Sequence, residues 1–517
     1  MPPRPLPSSA ASAELVVVGA GSAGAVIAAR TTERADREVL LLEAGPDYPD
    51  PASLPADLRD GTRNSWRPHD WGYRHRPTPG QILFAYPRGK VVGGSSAVNT
   101  CIALRGLPYD YDEWAALGLP EWSFEACLPY FKRLEDDRDF DDPWHGRGGP
   151  VPIRRFRRDE LAPWQAAFVD ACEARGHARC ADTNDPATAG GVGPHAMNLI
   201  GGQRMSAARC YLTPAVRGRQ NLRIRPRALV RRVLVRDRRV EGVEIDVEGR
   251  VEVIATRKVV LSAGAIATPG ILLRSGVGPR DKVARLGVEL AAEVPAVAAR
   301  LLDHPGAAIF LLARRGVSSL VHPLIQTVLR YTSRGSPYPS DMQLQPGSFL
   351  PLHPRLTLPT VTLMCCIGKP RGTGTLDFTS ADPRAMPRIH SGMLVDRDDH
   401  ARAVEALALA GELARAAPMR GLARFLWPGE RTLMDRAALG AWIHRSCGSG
   451  YHPCGTVPMG REGDPAAAVD GRGRVRGVEG LIVADASITP TIPSANTNLT
   501  SLMIGERFGE WLRDGAL

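Results

Sequence analysis

Short apolar runs, not long periodic stretches, mark the start of the chain. Leu15–Val18 is apolar at every position and rich in β-branched residues, which predicts a buried strand of a parallel sheet. A small-residue helix follows over residues 25–30, and a second apolar run, Val39–Leu42, ends at Glu43. Helices are predicted between residues 112 and 134 and over 164–175, the latter followed by a Gly/Pro-rich loop at 185–194. Residues 230–235, 240–247 and 251–261 read as strands, with turns at 237–239 and 248–250. Further strands are predicted over 357–368 and 375–378, and an amphipathic helix over 398–416. Residues 60–79 gather Trp66, His69, Trp71, Tyr73 and His75 without a clear period. That segment is either a loop over a site or a surface stretch tied down by aromatics. Strands alternating with helices predict an α/β fold.

The turn between the first strand and the first helix carries Gly19, Gly21 and Gly24 in G-x-G-x-x-G spacing. Gly19 permits a tight turn, Gly21 lets a pyrophosphate approach the backbone, and Gly24 lets helix and strand pack closely. The helix N-terminus then aims its N–H groups at the phosphates. Glu43 lies 22 residues after Gly21, where a carboxylate accepts hydrogen bonds from an adenosine ribose. The same charge would repel a 2′-phosphate, so NADP is disfavoured. Strand, glycines, helix and acid together predict a dinucleotide site.

The 517 residues predict two or three lobes rather than one core. The net charge of +10 comes mostly from arginines scattered among acids, with no dense basic tract, so no nucleic-acid partner is expected. Nine cysteines without zinc-ligand spacing predict reduced thiols and no metal site, and with them a cytoplasmic location. Residues 1–13, rich in Pro, Ser and Ala, read as a disordered leader, and no run reaches the roughly 18 apolar residues of a membrane span.

Later motifs add chemistry. PRGKVVGGSSAVN, residues 87–99, offers backbone N–H groups to a flat or anionic ligand. With GAGSAG at 19–24, it is followed by SAGAIATPGILLRSGVGP at 262–279, GYHPCGTVPMG at 450–460 and VADASITPTIPSANTNLTSLMIGER at 483–507. These five motifs in this order resemble the glucose–methanol–choline (GMC) family of FAD-dependent oxidoreductases, over nearly the whole chain. RGLPYDYDEW, HGRGGPVPI, RMSAARCYL and PSANTNL are most similar to the bacterial oxidases of aromatic primary alcohols, the 5-hydroxymethylfurfural oxidase type.

The resemblance implies a Rossmann-like FAD-binding lobe with an inserted α+β substrate lobe. The FAD lobe would comprise residues 14–155, 203–303 and 446–517, and the substrate lobe 156–202 and 304–445. It implies FAD-dependent oxidation of a primary, aromatic or furanic alcohol, with O2 or another acceptor taking the electrons. His452 would be the base, since an imidazole titrates near neutrality, and Asn496 its hydrogen-bonding partner. Gly19, Gly21, Gly24 and Glu43 are expected to hold the ADP portion, and Gly93, Gly94, Asn99 and Asp485 to lie along the ribityl and isoalloxazine parts. Ser22, Ala23, Ala44, Arg88, Val92, Ser95, Thr100, Val230, Ala263, Gly264, Ala486, Asn496 and Thr497 complete the expected FAD contacts.

Val98 stands where members that bind FAD covalently carry a histidine, which implies noncovalent FAD. Thr497 replaces a proline common in the wider family, and Gly450 and Tyr451 precede the base where relatives carry bulkier pairs. In LLDHP, residues 301–305, a leucine takes the family's asparagine position, and His304 is expected to pack or hydrogen-bond near the lobe boundary. Hydroxynitrile lyases share this scaffold with a redox-idle flavin, so a lyase is the rival reading.

Overall fold

The computed structural model describes residues 11–65, 67–350 and 359–517; Trp66 of the aromatic segment and residues 1–10 of the leader lie outside them. At the centre is a five-stranded parallel sheet in the order Leu222–Arg225, Val39–Leu42, Leu15–Val18, Lys258–Leu261, Leu481–Val483. The two runs read from the sequence are buried at every position, as expected of parallel strands covered on both faces. Leu222–Arg225 is not predicted because its two arginines interrupt the apolar run, and Leu481–Val483 because three residues do not stand out from their surroundings.

The first helix, Ser22–Thr31, packs along the C-terminal helix Thr497–Arg513. Two glycines one turn apart permit the approach. A Cβ on Gly505 would lie 2.7 Å from that of Val26, and one on Gly509 2.6 Å from that of Arg30. Glu506 is buried in this interface, where Arg30, Arg133 and Tyr211 all donate to its carboxylate. A buried carboxylate without such donors would cost several kcal/mol, on the order of the penalty for an unpaired ion.

A meander of Ala228–Arg236, Arg239–Val247 and Arg250–Ala255 has its turns at the expected places. Asp237 and Arg238 both take positive φ, as the tight hairpin requires. The run predicted as one strand over 251–261 is two, Arg250–Ala255 and Lys258–Leu261. The chain breaks at Thr256 because the first half belongs to the meander and the second crosses to the central sheet. Ala11–Ser12, assigned to the leader from sequence, instead pairs in parallel with Ile254 and Ala255 at the meander's edge. Asp485 caps the short turn at Ala486–Ile488, and no helix of the described residues is long and apolar enough to cross a membrane.

A second, antiparallel sheet runs Ala423–Trp427, Pro305–Ala313, Thr360–Ile367, Met342–Gly347, Thr327–Tyr331, Gly191–Pro194, with Gly448–Ser449 pairing at Pro305 and Gly306. The last main strand lies in the stretch read as a loop. Its glycines hide it from any propensity argument but let it approach closely: a Cβ on Gly193 would sit 1.8 Å from the Cys180 carbonyl. Side chains alternate between the two faces of this sheet. Ile309, Leu311, Leu344, Leu363 and Cys365 pack with Ala406, Leu407 and Ala410 of the helix Arg397–Arg415. The opposite face carries Ala308, Phe310, Met364, Cys366, Gln343 and Gln345, and it roofs a cavity.

The aromatic segment lines that cavity with Trp71, Tyr73 and His75. Within it Arg74–Arg76 pairs with Arg388–His390 on one side and Phe84–Ala85 on the other. All nine cysteines are buried free thiols. Away from the cavity, Arg105, Glu135, Asp137, His145, Arg155 and Asp182 form a buried ion cluster. Glu135, Asp137 and His145 converge as metal ligands might, with ligand atoms within 4.8 Å of one another. The two guanidinium groups already occupy the carboxylates, so the arrangement is a closed set of ion pairs.

Candidate active site

The cavity, of about 1780 Å³, starts at the C-terminal edge of the parallel sheet and runs beneath the antiparallel one. Its first end is built by the glycine motif. Gly19 has φ of +96°, and a Cβ there would come within 2.5 Å of the Ser262 carbonyl, so only glycine fits. A Cβ on Gly24 would lie 1.9 Å from the Gly19 carbonyl, which is the close helix–strand contact expected of it. Gly21 is the N-cap of Ser22–Thr31, and no side chain caps that first turn. A Cβ on Gly21 would meet only Gly94, at 3.8 Å, so this position opens on the cavity rather than on packed protein. The donors of an uncapped helix end facing an open cradle fit a pyrophosphate.

Glu43 accepts from the Ala20 amide at 3.0 Å through one carboxylate oxygen and from Gly45 at 2.8 Å through the other. Burial nevertheless pushes its pKa up, to about 7. Each oxygen keeps a further lone pair, and the side chain lines the cavity, so it remains placed to accept from a ribose.

Of the residues expected to contact FAD, Gly19, Gly21, Ser22, Ala23, Glu43, Ala44, Arg88, Gly94, Ser95, Asn99, Thr100, Val230, Ala263, Gly264, Asp485, Ala486, Asn496 and Thr497 all line this one cavity. Gly24, Val92 and Gly93 are absent from its lining and stand behind the wall. Gly93 takes φ of +105° and donates its amide to the Ala20 carbonyl at 2.7 Å, joining the two glycine loops. Val92 is buried in the core and donates to Pro46. Asp485 accepts from three protein donors: the Gly264 amide at 2.8 Å and the Thr268 hydroxyl at 2.6 Å on one oxygen and the Ser487 amide at 2.7 Å on the other. Lined by these residues, the cavity fits a dinucleotide.

His452 and Asn496 meet on the cavity wall, the Asn496 amide nitrogen 2.9 Å from His452 Nε2. His304 stands directly behind His452, its Nδ1 2.9 Å from His452 Nδ1. Its other nitrogen faces two backbone carbonyls, Pro493 at 2.9 Å and Gly368 at 3.1 Å. Carbonyls only accept, so His304 Nε2 carries the proton and the neutral ring offers a lone pair at Nδ1. His452 must then donate through its own Nδ1–H, which leaves Nε2 as the unprotonated nitrogen toward the cavity. The Asn496 amide donates to it. Two carbonyls thus set, through one intervening ring, the tautomer of His452.

Asp303, adjacent to His304, accepts from both histidine amides at 2.8 Å, and from the Tyr86 and Ser449 hydroxyls. Tyr451, between Gly450 and the base, has φ of +65°, a costly region for a tyrosine. Its amide donates to Ser449 at 2.6 Å, and its carbonyl accepts from Arg88 at 2.7 Å. Gly450 leaves little room beside the pair: a Cβ there would lie 3.1 Å from His452 Nδ1 and 3.3 Å from both Cys366 Sγ and the His304 Cβ, so those side chains would have to give way.

Every electrostatic influence on His452 opposes its charge. Burial lowers its pKa well below 6.5, and His304 and Arg88 lower it further. His304 itself is pushed down to about 4 by burial. Both rings are neutral at neutral pH, and the one lone pair on His452 Nε2 is held by the Asn496 amide, which a substrate hydroxyl would have to displace. His304 and Asp303 were passed over as site residues in the sequence. The only signal was their adjacency in LLDHP, which reveals nothing of a partner 148 residues away.

The GMC oxidoreductase family models match residues 13–306 and 370–505. The chain is 36% identical to 5-(hydroxymethyl)furfural oxidase of Methylovorus sp. (strain MP688), across 96% of this chain and 98% of that one. It is 33% identical to oxygen-dependent choline dehydrogenase of Brucella anthropi, across 96% and 94%. Pyridoxine 4-oxidase from Mesorbium loti superposes with a TM-score of 0.88 at 30% identity, across 96% of this chain and 98% of that one.

Proposed function

From a chain that belongs to the GMC oxidoreductase family, we propose an FAD-dependent enzyme that oxidises primary alcohols on an aromatic or furan-sized ring to aldehydes. The observation that carries the reading is the His452–Asn496 pair, neutral and fixed in tautomer on the wall of the dinucleotide cavity. FAD, held along this cavity, would supply the hydride acceptor, with O2 or another acceptor as the final oxidant.

The chain's own residues supply the rest. His452 Nε2 accepts the hydroxyl proton of the substrate, and its Nδ1–H bond to His304 fixes the ring with Nε2 toward the cavity. The second amide hydrogen of Asn496 donates to the substrate oxygen as negative charge develops there. The helix N-terminus after Gly21 and the carboxylate of Glu43 hold the ADP portion, at the far end from the base. Val98 offers no nucleophile where the covalent members carry histidine, so FAD is held without a bond and acid precipitation releases it.

Where the sheet face lines the cavity it carries no charged side chain; Phe310, Met364, Cys366 and two glutamines line it, while Arg330, on the same face, is turned to Thr183 and Ser494. Such a face suits a neutral ring and offers no carboxylate to a quaternary ammonium. The furfural oxidase is therefore the better guide to substrate than the choline dehydrogenase. The test is anaerobic mixing of the holoenzyme with benzyl, furfuryl and choline-type alcohols. The ring-bearing primary alcohols are expected to bleach the flavin. If none does, the reading fails.

A further inference from the structure

Two glutamines on the sheet face over the base are held in opposite senses. Gln343 donates one of its two amide hydrogens to the Ser494 carbonyl at 3.0 Å, which ties its nitrogen to the segment that carries Asn496. Gln345 uses the other end: its carbonyl oxygen lies 3.1 Å from Nε2 of His195. His195 is fully buried, which keeps the ring neutral, and because the facing carbonyl oxygen can only accept, the proton of that ring sits on Nε2. With its oxygen anchored, the Gln345 amide presents its NH2 group to the cavity it lines, where among the described residues no hydrogen bond takes it up.

The register places this donor. Gln343 pairs with Cys366, and Gln345 pairs with Met364. Cys366 touches the base loop, its Sγ 3.3 Å from where a Gly450 Cβ would sit. Two residues further along a strand is about 7 Å. That is the span of a six- or five-membered ring with substituents on opposite sides. Met364 on the neighbouring strand supplies a soft apolar surface beside it.

We infer that Gln345, locked by His195, is a specificity-determining residue that reads a carbonyl oxygen on the side of the ring opposite the reacting hydroxymethyl group. This rests on the alcohol-oxidation reading above. The preferred substrates are then ring alcohols that bear an aldehyde, ester or acid across the ring, in preference to those with an alkyl group there.

Binding and turnover are measured separately, so that the two readings fail separately. Para-(hydroxymethyl)benzaldehyde and para-methylbenzyl alcohol are titrated calorimetrically into holoenzyme whose flavin has been reduced anaerobically, where neither can turn over. The wild type is expected to bind the aldehyde about five- to tenfold more tightly, the value of one neutral hydrogen bond. In Gln345→Met that ratio falls to about one, while the affinity for the methyl compound, an internal control for folding, is unchanged. In His195→Phe the ratio also falls, because the amide is free to turn. Equal binding by the wild type, or a ratio that survives in Gln345→Met, overturns the inference. A preserved ratio in a wild type that oxidises neither alcohol leaves the subsite standing and overturns the reaction.

Discussion

His452 and His145 sit in two buried regions that treat an imidazole in opposite ways. His452 has a second neutral ring behind it, an amide beside it and a guanidinium nearby, and its pKa falls. His145 lies 2.8 Å from Asp142, 3.0 Å from Asp182 and 3.8 Å from Asp137. Burial opposes its charge too, but hydrogen bonds to Asp182 and Asp142 outweigh burial, and its pKa rises. One region keeps a lone pair ready at a cavity; the other keeps a cation that neutralises buried carboxylates. The difference teaches that the partners of a buried histidine decide whether it acts as a base or as a structural ion, since desolvation has the same sign in both.

The largest expected effect breaks the first side of the comparison. His452→Ala is expected to slow anaerobic flavin reduction by roughly 10²–10⁴-fold, the contribution of a positioned base. FAD content is expected to stay at the wild-type level, because the ADP cradle lies at the other end of the cavity. Stopped-flow reduction at the wild-type rate would assign the proton to another residue.

Breaking the second side is expected to cost stability and leave the chemistry alone. Arg155→Ala strips Asp137 and Asp182 of their guanidinium partner, at 2.8 and 2.5 Å, in a region almost closed to solvent. Breaking a buried pair in this way costs about 3–5 kcal/mol. Denaturant unfolding should show that loss, and the folded fraction should reduce its flavin at the wild-type rate.

His304→Ala sharpens the comparison, because it removes the tautomer lock and keeps the base. A loss of roughly ten- to hundredfold in the reductive rate is expected, as for one orienting hydrogen bond of about 1–3 kcal/mol. Removing the ring also removes one of the influences that depress His452, so the low-pH limb of the reductive rate should move to higher pH. A merely structural role for His304 would leave that limb in place.

The smallest effect is one of pH, and the two regions carry opposite signs. His452 has a depressed pKa, so the reductive rate should be flat above pH 6.5 and fall only well below it, as the lone pair is lost. His145 has a raised pKa, so its contribution to stability is complete below its unfolded value of about 6.5 and fades as pH rises through the folded one. The stability difference between the wild type and His145→Gln should shrink over that upper range. A difference that grows with pH would refute the charged state of His145.

Much of the nucleotide end was legible in the chain because its chemistry is local. Gly19, Gly21 and Gly24 lie within six residues of one another, and their turn geometry follows from sterics alone. The short apolar strands beside them need no distant partner to be recognised. His452 and Asn496 were legible for another reason: each sits in a distinctive string shared with a family, though nothing in their spacing of 44 residues reveals that they touch. Tertiary structure alone decided the rest. It set His304 behind the base, gave Asp303 four donors, and moved Gly24, Val92 and Gly93 behind the cavity wall. It also turned Gln345 toward the cavity and Leu344, its neighbour, into the core. Those outcomes depend on strand register and on which carbonyl faces which ring, and a one-residue slip would have reversed them. Local sterics fix a glycine turn wherever it occurs, but a tautomer or a facing side chain is fixed only by groups that folding brings from far along the chain.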